Sequence, residues 1–259
     1  EDSVTTITAL IRRHPVVTYY GLTFTLSWGA FLLVDGSGLL SRSDWQSDPQ
    51  FTLAVLAMLT GPLIAGLFMT GVVAGTAGLA ELGARVRRWR IGGRWYAVAL
   101  LTSPFVQLIV LLGLSQSSPV FLPAIVTAED KTALLASGIA VGIVGGFVKE
   151  LGWTGFAIPK LLVRFGVLAT GLAVGVLWTA WHILQMWRVG GTSADALPLN
   201  LFLPLYFVSA AAILTAYRVL MVWVYDRTGS VLVASLMHAS HIVTTLFVCV
   251  APSVSPVIR

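Results

Sequence analysis

Four ionisable side chains inside apolar stretches carry the chemistry this sequence can support: Lys149, Glu150, His182 and His238. Lys149 and Glu150 are adjacent in GGFVKELGWTGFAIP, which follows a run, ALLASGIAVGIVGGFV, apolar enough to enter a membrane. An ionisable group at that depth is expensive and marks a functional site when a partner is within reach. The partners on offer are His182 and His238, each in another apolar segment. The bland alternative has Lys149 reaching to an interface and Glu150 pairing with it locally. A carboxylate with a histidine can polarise water for attack on a carbonyl while a second histidine steadies the oxyanion. Two histidines and a carboxylate can equally ligate zinc with one position open, so zinc is a legal cofactor although no cofactor is required. The spacing does not choose between these, and it is not a helical HExxH. Trp178 lies four residues before His182, and His241 three after His238, so each pair shares a helix face. A buried lysine can also act as a base or form a Schiff base, which gives Lys149 a role of its own.

The elements that position these groups are membrane helices. Of 259 residues, 57% are hydrophobic and only 10% charged, with a mean hydropathy of +0.88. Soluble domains average about 25% charged residues, so this chain cannot cover a water-facing surface. The expected fold is all-α, a polytopic transmembrane bundle forming a single membrane domain over 1–259, because no polar linker of domain-separating length occurs. The single cysteine, Cys249, excludes an internal disulfide and a cysteine-based metal cluster. The formal charge of +5 needs no nucleic-acid partner, since the basic residues lie mostly in short loops.

Seven spans are expected, over about 16–34, 51–80, 95–114, 133–159, 167–187, 199–225 and 230–250, with room for an eighth partial helix. The first is span-length and lacks a small-residue cleavage site, so it does not read as a cleavable signal. Five arginines, Arg85, Arg87, Arg88, Arg90 and Arg94, crowd one loop and mark the cytoplasmic side. Arg12, Arg13, Lys160, Arg164 and Arg227 fall on the same side, against Arg42, Lys131, Arg188 and Arg259 outside. The N-terminus is therefore expected in the cytoplasm. The pairs Gly71/Gly75, Gly138/Gly142, Gly142/Gly146 and Gly171/Gly175 have GxxxG spacing and read as close packing, expected to bring the fourth and fifth spans together.

Three motifs, in order and each on its own span, resemble those of the CPBP family, the CAAX-protease and bacteriocin-processing membrane proteins. Lys149-Glu150-Leu151-Gly152-Trp153-Thr154-Gly155 is similar to the first, two glutamates and then an arginine, often spelled EExGWRG. Trp178-Thr179-Ala180-Trp181-His182 is similar to the second, an aromatic residue, three residues, then histidine. His238-Ala239-Ser240-His241-Ile242 is similar to the third, histidine, three residues, then asparagine. The resemblance covers the 135–250 core and implies an intramembrane endopeptidase using water activated by glutamate and histidine, in a bacterial or archaeal cell membrane. It implies Glu150, His182 and His238 as catalytic residues, with Lys149, Trp153, Trp178, Trp181 and His241 in support. The departures are Lys149 where the family has its first glutamate, Thr154 for the arginine and Ile242 for the asparagine.

Three readings follow: a protease in which Glu150 has become the base, a pseudoprotease that binds without cutting, and a repurposed pocket where Lys149 acts on a hydrophobic small molecule. The partners are the lipid bilayer and a hydrophobic or lipidated peptide, or such a small molecule. One tension is geometric. With Pro159 as the inner end of its span, Glu150 lies about 13 Å deep, whereas His182 lies about 22 Å beyond Val167, so the fifth span must tilt or begin deeper. The topology has a direct test in a background with Cys249 replaced. A cysteine at position 88 should react only with a probe that reaches the cytoplasm.

Overall fold

The computed structural model describes Ala9 and residues 11–41, 48–190 and 197–249. The expectations placed on Arg42, on the connection at 191–196 and on 250–259, including Arg259, lie outside the described residues. In chain order the elements are α1 (Pro15–Ser41), α2 (Pro49–Val86), α3 (Gly93–Ser115), a 3-10 turn (Pro119–Phe121), α4 (Ala124–Thr127), α5 (Lys131–Gly152), a π-turn (Trp153–Ala157), α6 (Ile158–Trp181), α7 (Ile183–Val189), α8 (Leu199–Thr228), α9 (Val231–Val243) and a closing π-turn (Thr244–Val248). No strand occurs among the described residues. The long helices start where the sequence supplies caps. Asp48 accepts from the Gln50 amide at 2.9 Å and precedes Pro49, Asp130 accepts from the Ala133 amide at 2.8 Å, and Ser230 accepts from the Val233 amide at 3.2 Å. Gly229, at φ 59°, ends α8 in the left-handed conformation.

Six segments of the described residues are long and apolar enough to cross a membrane. The longest, the 59-residue Lys131–Val189, makes two passes. Glu150 and Trp178 both lie against the His238 ring, at 2.6 Å from Nδ1 and 4.8 Å between ring centroids. The intervening residues as one straight helix would hold them about 42 Å apart. The chain turns back at Gly166, whose φ of 68° and ψ of −178° are open essentially to glycine alone. Among the described residues the bundle thus makes seven passes, and the protein is integral to the membrane.

The fourth pass ends at Gly166 and not at Pro159. The Ile158 amide reaches back five residues to Trp153 O, so the helix widens into a π-turn just before the proline. Pro159 then occupies the first positions of α6, where a missing N–H and a fixed φ are tolerated. This correction removes the depth tension. Glu150 precedes Gly166 by sixteen residues and His182 follows it by sixteen, about 24 Å of helix on each arm.

The glycine pairs also pack differently from expectation. Gly138, Gly142 and Gly146 of α5 lie against Phe247, Val243, Ala239 and the Ser235 carbonyl, so they seat the fourth pass on the seventh. Gly171 and Gly175 of α6 lie against Val219 and Thr215, seating the fifth pass on the sixth. None of them joins the fourth to the fifth. Gly71 and Gly75 meet nothing within 4 Å, and Gly75 breaks α2 instead.

Basic residues gather at one end of the bundle. Arg85 donates to the Tyr225 hydroxyl at 2.9 Å, Ser230 to Arg88 O at 2.7 Å, and Arg12 to Val72 O at 3.4 Å. At the other end Arg188 donates to Asp35 at 3.1 Å and to Asp48 at 2.8 Å, tying α7 to α1 and to the start of α2. Gly166→Ala should cost about 1–3 kcal/mol of backbone strain and nothing from crowding, since open space surrounds that position. Thermal unfolding in detergent should register the loss, while Gly71→Ala should unfold like the unaltered protein.

Candidate functional site

The site is built around the carboxylate of Glu150, which is fully buried among three passes. Arg218 of α8, also fully buried, donates Nη1 to both carboxylate oxygens, at 2.8 and 3.0 Å. His238 of α9 bonds Oε1 through Nδ1 at 2.6 Å, and the Thr154 hydroxyl, one turn on, donates to Oε2. A carboxylate only accepts, so the His238 proton sits on Nδ1, and Nε2 is buried without a protein partner.

Close backbone approach makes these contacts possible. The three α5 glycines let α9 come near enough for His238 to reach Glu150. At the end of α5, Gly152 presses on the Pro62 carbonyl of α2 and on the Tyr19 hydroxyl, with no room for a Cβ. Beyond it Trp153 is buried against Tyr19 and Tyr20 of α1, with centroids 6.4 and 5.3 Å away. Trp153 thereby serves as an anchor for the turn that follows Glu150.

Trp178 is the hub of the second layer. The Arg218 guanidinium lies 4.3 Å above its ring, in cation–π range, and the rings of His238, His241 and His182 lie 4.8, 5.9 and 6.1 Å from it. His182 bonds Trp178 O through Nδ1 at 2.8 Å, and since that carbonyl only accepts, Nδ1 bears the proton and Nε2 is left as an acceptor. Trp181 meets His182 edge-on at 4.8 Å, and the Lys149 ammonium lies 5.9 Å from the Trp181 ring centroid. Lys149 is 5% exposed and makes no hydrogen bond to Glu150. The indole nitrogens of Trp153, Trp178 and Trp181 and Nε and Nη2 of Arg218 are buried donors without a protein partner.

The structure thus brings Glu150 and His238 into direct contact, and joins His182 to them through Trp178. His241 stands in a neighbouring network. It stacks on Tyr217 at 4.5 Å and pairs through Nδ1 with Ser103 at 3.2 Å, where Gln107 donates to Ser103 and Thr245. Ile242 lines the contact with Gly145 and offers no polar atom. The sequence reading missed Arg218. An arginine inside an apolar run is itself the signal, because such a charge demands a buried counter-ion.

Metal ligation fits these residues poorly. Among the described residues no three of His, Cys, Asp and Glu converge as a metal-holding group. Both oxygens of Glu150 are already engaged, which leaves two imidazoles beside a lysine.

Residues 131–244 match a family model described as Type II CAAX prenyl endopeptidase Rce1-like. This core is similar to the CAAX-protease (CPBP) family. The matched stretch holds all three motifs and therefore Glu150, His182 and His238. No curated protein matches the chain. The likeness is to CAAX-protease-like intramembrane endopeptidases.

Within this core Arg218, reaching in from α8, pairs with the carboxylate while Thr154 stands at the motif's arginine position. Removing one partner of a buried ion pair costs about 3–5 kcal/mol, because it strands a charge. Arg218→Met should therefore lower the unfolding temperature in detergent markedly. Adding Glu150→Gln to that variant should restore part of the loss, since the stranded charge is gone. Equal destabilisation in the single and double variants would contradict the pairing.

Proposed function

We propose that this protein hydrolyses a peptide bond of a hydrophobic or lipid-linked peptide within the membrane, with its N-terminus and arginine-rich end in the cytoplasm. In this reading His238 takes the proton and Glu150 holds it in place. The observation that carries it is the Glu150–His238 bond at 2.6 Å, which leaves the buried Nε2 as a free acceptor. Glu150 is a poor base here because Arg218, His238 and Thr154 already donate to it. A carboxylate that orients an imidazole and stabilises its cationic form is a familiar device for general-base catalysis.

The step runs as follows. His238 Nε2 accepts a proton from water as the water oxygen bonds to the scissile carbonyl carbon, and the carbonyl oxygen becomes an oxyanion. The Lys149 ammonium and the indole N–H groups of Trp178 and Trp181 are suited to stabilise that charge. The proton on Nε2 then passes to the departing amine as the carbon–nitrogen bond breaks, giving a carboxylic acid and an amine. His182, with Nε2 likewise an acceptor, would help hold the water.

A second reading, a pseudoprotease that binds such a peptide without cutting it, draws support from Lys149 standing where the family has a glutamate. Turnover of an apolar peptide by the purified protein separates the two. Glu150→Gln and His238→Gln should each lower kcat by about 10²- to 10⁴-fold. Lys149→Met should lower kcat by about 10²- to 10³-fold with little change in KM. An inactive unaltered protein whose Lys149→Glu variant cleaves the peptide would establish the pseudoprotease.

A further inference from the structure

A cleft of about 580 Å³ opens at the basic end of the bundle, between the start of α1 and the part of α6 just before Gly166. Its polar wall is Arg13, His14, Lys160 and Arg164, and no acidic residue lines it. Its apolar wall includes Val17 and Val163, which are 72% and 89% exposed, and Phe165, 57% exposed. Lys160 is turned over the Phe156 ring at 3.9 Å, so its charge lies toward the bundle while Arg13 and Arg164 face outward.

The placement restricts the occupant. The cleft sits at the start of α1 and just before the Gly166 bend that joins the fourth and fifth passes, and such an end of a membrane bundle is where headgroups meet acyl chains. A small soluble anion would satisfy the arginines but not the valines and Phe165. A neutral lipid would satisfy the apolar wall and leave the cationic one without a counter-charge. Both walls are matched by a molecule with a phosphate at one end and a hydrocarbon chain at the other, and the volume lies in the ordinary range for a ligand site. We infer that the cleft between Arg13–Val17 and Pro159–Phe165 is a binding site for an anionic glycerophospholipid, its phosphate on Arg13 and Arg164 and an acyl chain along Val17 and Val163. The site is separate from the Glu150 cluster, so it stands whether or not that cluster hydrolyses peptides.

The test uses the full-length protein in detergent, titrated with phosphatidylglycerol or phosphatidylcholine and read by native mass spectrometry. Phosphatidylglycerol should remain bound where phosphatidylcholine does not. Arg13→Gln/Arg164→Gln should weaken phosphatidylglycerol binding roughly tenfold or more, at about 1 kcal/mol for each basic residue near a membrane surface. Val163→Trp, which fills the apolar wall at an exposed position and leaves every charge in place, should weaken it as well. Arg90→Gln/Arg94→Gln removes the same charge from the arginine-rich loop and should have little effect. Millimolar inorganic phosphate should not displace the lipid. Three results would overturn the proposal: equal retention of the two lipids, equal weakening by the loop variant, or displacement by free phosphate. Should the double arginine variant fail to fold, an unweakened Val163→Trp protein suffices to reject it.

Discussion

A carboxylate buried at membrane depth needs donors on every side, and much of this bundle is arranged to bring them. Glu150 receives an arginine from α8, a histidine from α9 and a hydroxyl from its own next turn. The arginine and the histidine each require their own helix to approach closely. The glycines of α5 admit α9, and those of α6 admit α8, so small residues far apart in sequence serve one electrostatic demand. Were any of these approaches lost, the charge would face hydrocarbon, where the cost of an isolated ion is many times that of a packing defect.

The same constraint sets the local field. The first motif of the family carries two carboxylates and an arginine, a formal charge of −1. The same positions here carry Lys149, Glu150 and Thr154, a formal charge of 0, and Arg218 from α8 brings the cluster to +1. A site of that sign favours anions and repels divalent cations. Lys149 is thus more than a lost glutamate. It changes what kind of charge the site can accommodate as a reaction proceeds.

Much of this was legible in the sequence. The depletion of charge identified a membrane bundle, and three motifs in order pointed to Glu150, His182 and His238, of which Glu150 and His238 touch directly. What stayed hidden has physical reasons. Pro159 looked like a helix end because proline ordinarily breaks a hydrogen-bond ladder, but the π-turn at WTGFA places it where no ladder bond is required. Gly166 showed no turn partner beside it, so its left-handed backbone could not be told from an ordinary glycine of a span. Arg218 was visible as a charge in an apolar run, yet the choice of partner depended on which faces of α5 and α8 meet, and that is tertiary information. The glycine pairs announced close packing without naming the helices they would join.

The symmetry of the hairpin about Gly166 has a consequence for how this chain can vary in length. Glu150 and His182 are equidistant from the bend, so their levels match only while both arms keep the same number of residues. One residue inserted in either arm would shift its side chain by 1.5 Å along the axis and swing it by about 100°. A compensating insertion in the other arm would restore the level but not the heading, and only a change near a whole turn on both arms would restore both. The two arms therefore behave as a single gauge. Length variation is better accommodated in the connections at the bundle ends, the Gly166 bend included, than within either helical arm between residues 150 and 182.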